Sequence, residues 1–239
     1  GEGSAIIQNV ALKTRNGTIR ADYQSIDKNF TSTAAFDQAG YTAEDAQRFL
    51  KERGLKRFGY GVEDVKLGNL GFNQSFSMVG DKGEQITRRS FGVETKGAKL
   101  GFSSHKVDSG FRRFQDLKDG DAAQLKNEAG LEHETWFADL GNKQLSLKMA
   151  SKGVEDRTSK AFQRRSVALD AGKIKFNYGD QKVENGFTKF AGIREADWQQ
   201  VAREAGLRRQ SWGMELAPIS KQLQGLAISS QSLRSDGGR

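Results

Sequence analysis

A mainly β chain is predicted, an up-and-down antiparallel meander of about twelve strands. Three observations point to it: landmarks that return every 76 residues, short runs in which apolar and polar residues alternate, and glycine-marked reversals between the runs. The motif Glu-x-Gly-Leu ends at Leu55, Leu131 and Leu207, spaced 76 residues apart, and Arg88-Arg89-Ser90 returns at the same step as Arg164-Arg165-Ser166. A third landmark places Phe30, Phe111 and Phe187 behind Asp27, Asp108 and Glu184. Its first step is 81 because five extra residues lie between Phe30 and Leu55. The chain thus reads as one β-repeat domain, 1–239, in three units of approximately 5–85, 86–161 and 162–233, with a polar tail at 234–239.

Each unit opens on a hairpin. In the first, Val10 and Leu12 alternate with polar neighbours, Asn16-Gly17 is a hairpin turn, and Ile19, Ala21 and Tyr23 continue the apolar face. Phe91, Val93, Leu100 and Phe102 keep that phase around Lys96-Gly97, as do Val167, Leu169, Ile174, Phe176 and Tyr178 around Asp170-Ala171-Gly172. A long connection carrying one short helix follows. Thr42 with Asp45 forms a helix start, and Ala46, Phe49 and Leu50 an apolar stripe; Ala122 with Leu125, and Trp198 with Val201 and Ala205, are the counterparts. Gly54, Gly130 and Gly206 stop the helices. Alternation then resumes through Tyr60, Phe72, Phe76 and Met78, through Trp136, Ala138, Leu140, Leu145, Leu147 and Met149, and through Trp212, Met214, Leu216, Leu223, Leu226 and Ile228. The second of these runs turns at Gly141-Asn142-Lys143, and a slip at Gly225 in the last suggests a bulge.

Composition excludes several chemistries. With no cysteine there is no disulfide, thiolate nucleophile or thiolate metal site, and two histidines are too few for a multi-histidine zinc centre. No apolar run is long enough for a spanning helix. The net charge of +8 comes from cations spread through all units among 30 acidic residues, without the basic and aromatic clustering of a nucleic-acid site, so no nucleic-acid partner is expected. Glycine pairs such as Gly59 and Gly61 lack the strand-to-helix context of a phosphate loop. No catalytic residues, cofactor or metal are predicted, and the chain is not expected to be an enzyme.

A two-faced meander with short turns at one end and long loops at the other resembles porin-like outer-membrane β-barrels in rhythm, strand number and loop asymmetry. The resemblance covers nearly the whole chain and is one of pattern. It implies a β-barrel or barrel fragment in the outer membrane or at the cell surface, acting as a pore, transporter or surface scaffold in contact with membrane lipid. Arg20, Lys99, Lys148, Lys173 and Lys175 would then be lumen-facing cations favouring anionic solutes, and Tyr60, Trp136 and Trp212 interfacial aromatics. The start at Gly1 without a Met, and an end at Ser235–Arg239 without a terminal aromatic strand, suggest a processed chain or a fragment of a larger barrel. The alternative reading is a soluble or cell-surface β-repeat scaffold used in adhesion or assembly, its units stacked and its apolar face covered by helices or a second sheet.

Further residues invite roles. Phe30, Phe111 and Phe187 are read as loop anchors, each tucked inward by a left-handed turn at the preceding Asn or Gly. Asp45, Asp121 and Asp197 complement helix dipoles, and Glu52, Glu128 and Glu204 are read as surface helix residues. The paired arginines are strand-end charges with a second reading as grips for phosphate or lipid headgroups. His105 and His133 are assigned different strand registers and no role.

Overall fold

The computed structural model describes residues 3–81, 83–118, 121–142, 144–218 and 225–235. Twelve antiparallel strands form one sheet in strict chain order. The first unit holds β1 (Ala5–Thr14), β2 (Gly17–Ile26), α1 (Ala34–Gln38), α2 (Ala43–Lys51), β3 (Lys56–Leu67) and β4 (Leu70–Asp81). The second holds β5 (Glu84–Thr95), β6 (Ala98–Val107), α3 (Ala122–Asn127), β7 (Leu131–Gly141) and β8 (Ser146–Asp156). The third holds β9 (Ala161–Ala171), β10 (Ile174–Val183), α4 (Trp198–Arg203), β11 (Leu207–Leu216) and β12 (Leu226–Ser235). Single 3-10 turns at Phe114–Asp116 and Phe190–Gly192 precede α3 and α4.

Local chemistry sets the boundaries. Thr42 and Asp45 form a reciprocal capping box on α2. Gly54, Gly130 and Gly206 all stand at φ +77°, and their N–H groups donate to the carbonyls of Ile26, Val107 and Val183 at 2.6, 2.7 and 2.9 Å. Each helix end is thereby tied to the strand that launched it. The acid of the phenylalanine landmark ties the other side: the Asp27, Asp108 and Glu184 carboxylates accept from the N–H of Ser4, Gln85 and Ala161. A left-handed residue before the landmark phenylalanine occurs only at Gly186 (φ +89°); Asn29 and Gly110 turn without it.

The two faces are chemically distinct. Opposed pairs such as Leu12 with Ile19, Tyr60 with Phe76, Phe102 with Trp136 and Met214 with Ile228 place the apolar set on one face near the short-turn end. The opposite face is polar at that end. At the long-loop end it carries the helices and the three buried clusters, centred on Ile26 and Phe36, on Phe111 and Leu125, and on Phe187 and Val201. Two of these clusters straddle units. Leu55 and Val79 of the first unit pack with Phe111 of the second, and Leu131 and Val154 of the second with Phe187 of the third. The helical loops of the second and third units therefore roof the second half of the unit before them, while that of the first packs within its own unit.

Several expectations are corrected. β1 pairs only with β2 and β12 only with β11 among the described residues, so the sheet is open and is not a β-barrel. An open edge in hydrocarbon would strand a row of backbone N–H and C=O groups, which is why spanning sheets close. The porin-like reading falls with closure, and with it the outer-membrane location, the membrane lipid and lipid-headgroup partners, and the pore or transport role. The irregularity foreseen at Gly225 lies elsewhere: Gly225 (φ +49°) stands before β12, whose register with β11 is unbroken, and the register shift falls between Val62 and Val65, with Asp64 at φ +53°. Helix α1 was not foreseen. Leu223, Lys143 and most of the 234–239 tail lie outside the described residues.

Candidate functional site

Beneath the helical roof each unit holds a carboxylate. Glu52 and Glu128 are fully buried, contrary to the surface role their periodicity suggested. Each lies beside Gly54 or Gly130, where the chain turns from helix into strand and points the side chain under the roof. Glu52 accepts from Gln24 Nε2 (2.9 Å), Arg57 Nη2 (2.5 Å) and the N–H of Lys118 (2.9 Å), while Lys118 Nζ reaches Gln24 Oε1 at 3.0 Å. In the third unit Gln181 Nε2 (2.6 Å) and Arg209 Nη1 (2.8 Å) hold Glu204 in the same way. Gln24 with Arg57 and Gln181 with Arg209 are therefore equivalent pairs.

The second unit replaces that pair with His105 and His133. They stand directly opposite one another on β6 and β7, ring centroids 6.1 Å apart, which corrects their assignment to different registers. His105 Nε2 lies 3.2 Å from Glu128 without an aligned hydrogen bond, and both His133 ring nitrogens are buried without a partner. Glu128 is instead held by Arg194, through Nε and through Nη2 at 2.8 Å, and by Gln124 at 2.8 Å. Burial pushes both imidazoles down to about 4; Glu128 pulls against this, and Arg194 adds to it. Burial also works to raise the Glu128 carboxyl, but the hydrogen bonds from Arg194 and Gln124 outweigh it and hold the group below its ordinary range.

These contacts join consecutive units. Lys118 and Arg194 occupy equivalent positions and each serves the glutamate of the preceding unit. Arg113 Nη2 donates to the Arg53 carbonyl at 2.6 Å, and Lys189 at the equivalent position donates to the Ala129 carbonyl. Every such clasp reaches backwards along the chain. On the third unit no described loop covers the seat: the Glu204 side chain is 13% exposed, and Leu233, the counterpart of Val79 (7%) and Val154 (0%), is 57% exposed.

Arg20, Lys99, Lys148 and Lys175 lie on the polar face, beside Glu63 (3.3 Å), Glu94 (3.2 Å), Asp139 (3.8 Å) and Asp170 (3.9 Å), while Lys173 sits in the β9–β10 turn. The open sheet encloses no lumen for them to face. Tyr60, Trp136 and Trp212 are exposed on the apolar face; Tyr60 stacks on Phe76, and Trp136 lies 4.3 Å from Phe102. Phe111 and Phe187 are buried under the roof, whereas Phe30 is half-buried. Of the paired arginines, Arg164 is drawn into a network with Gln181, Glu195 and Asp197. Among the described residues no group of three or more metal-binding side chains is arranged to hold an ion. Compared with protein-family models, curated proteins and solved structures, the chain matches none.

The buried carboxylates and their clasps escaped sequence reasoning, although a signal existed. Gln24 and Gln181, Arg57 and Arg209, Lys118 and Arg194, and Arg113 and Lys189 are same-position pairs across units.

Proposed function

We propose that the chain is a non-catalytic β-repeat scaffold, soluble or at the cell surface, that works in adhesion or assembly. The observation carrying this reading is the open twelve-strand sheet, in which β1 and β12 each have one edge without a partner strand among the described residues. Long unblunted edges are templates for strand addition. Both edges here are ten residues long and free of proline, with one charge each, Lys13 on β1 and Arg234 on β12. A second support is the exposed apolar band running through Leu12, Phe91, Leu100, Trp136, Trp212 and Ile228, of the kind that marks contact surfaces. The buried polar groups serve inter-unit cohesion, which is what a scaffold asks of them. Purification without detergent tests the reading. A β-rich circular dichroism spectrum that micelles leave unchanged is expected; recovery of folded chain only in detergent would overturn it.

A further inference from the structure

We infer that the β12 edge and roofless seat of the third unit receive the β1 edge and helical loop of a second copy, giving head-to-tail assembly; this rests on the scaffold reading. Such a contact would continue junctions the chain already contains. At both internal junctions a unit ends on a strand whose inward side chain, Val79 or Val154, is completed by the next unit's strand and helical loop. The third unit presents the same half-core incompletely covered: Leu207 is half-buried where Leu55 and Leu131 are sealed, and Leu233 is exposed. The first unit presents the complementary half, in which Phe30 and Phe49 remain half-buried where Phe111 and Leu125 are sealed. Two incomplete halves of one recurring core lie at opposite ends of the sheet.

Register supports the match. The β8–β9 junction opposes Leu147 with Leu169 and Met149 with Val167. Carried to β12 and β1, the same register opposes Leu226 with Leu12, Ile228 with Val10 and Leu233 with Ala5. Apolar meets apolar on one face, and the exposed Leu233 meets a small residue beneath the incoming loop. One element is missing. Thr42 stands one period before Lys118, whose main-chain N–H serves Glu52, and two before Arg194, whose guanidinium holds Glu128; it caps α2 instead, so a junction between copies lacks that guanidinium. Contact between copies is therefore weaker than contact between units and reversible. A heterologous contact of this kind builds open chains.

The absence of native cysteine makes the test clean. Val10→Cys and Ile228→Cys chains, mixed and treated with a short bis-maleimide, are expected to give a cross-linked dimer that neither variant gives alone. The double variant is expected to give a ladder of multimers. Leu233→Asp, at an exposed position, should abolish both products with the circular dichroism spectrum unchanged. A double variant that cross-links only within one chain, or not at all, would overturn the inference. A folded, detergent-independent chain that never cross-links would lose the assembly and keep the scaffold.

Discussion

At the scale of single residues, the most consequential substitution is the one that sets the second unit apart. Gln24 with Arg57 and Gln181 with Arg209 give their glutamates permanent donors, whereas His105 and His133 are buried as neutral rings beside Glu128. Folding depresses both imidazoles from 6.5 to about 4, so the unfolded chain takes up protons first as acid is added. The two rings share Glu128 and titrate as a coupled pair, so stability is whole above about pH 6.5 and drains away as pH falls towards 4. Thermal melting between pH 7 and pH 4, roughly the window set by those shifts, should show the loss. His105→Gln with His133→Arg, which installs the pair used by the other units, should flatten the profile. An unchanged acid slope in that variant would show that other groups dominate. None of this was legible within one unit; only comparison of Gln24 with Gln181 and Arg57 with Arg209 across units carried a signal. A glutamate in the last turn of a short amphipathic helix looks the same whether water or another unit's loop lies over it, and Glu52 is buried by a segment 66 residues away.

At the scale of elements, the helices are short and depend on their ends. Gly130 stands at φ +77°, where an added Cβ would also lie 2.8 Å from Lys189 Nζ and 3.1 Å from Ser109 Cβ. Gly172, at φ +70° in a hairpin turn, faces open space. Gly130→Ala should therefore cost about 2 kcal/mol and Gly172→Ala about 1 kcal/mol, the backbone share alone. Urea denaturation would check the difference, and equal costs would mean that the clasp yields freely. Elements are also where the sequence was most informative. Alternation put Leu100 with Phe102, and Trp136 with Ala138, on apolar strand faces, and glycine marked the ends of the three foreseen helices, because these signals are local. Helix α1 fell in the inserted segment, which has no counterpart for comparison. The fate of β1 and β12 was beyond local pattern too, since inward and outward alternation is identical in an open and a closed sheet.

At the scale of the whole molecule, stability belongs to junctions as much as to units, as in other quasi-one-dimensional repeats. Arg113→Ala removes the clasp on the Arg53 carbonyl and a contact with Asp116 at 2.6 Å. It should lower hydrogen-exchange protection in β3 and β4 about tenfold, the equivalent of about 1.4 kcal/mol, while leaving β9 and β10 unaffected. A uniform loss across the sheet would indicate a single cooperative unit. The backward direction of the clasps has a consequence for how such a chain can change length. Because the second and third segments each carry both a socket for a successor and a hook for a predecessor, a tandem duplication of either whole period would meet only joints of a kind that already exists. Gaining or losing a fraction of a period would leave a hook without a socket, so genes of this kind are expected to grow and shrink in complete steps.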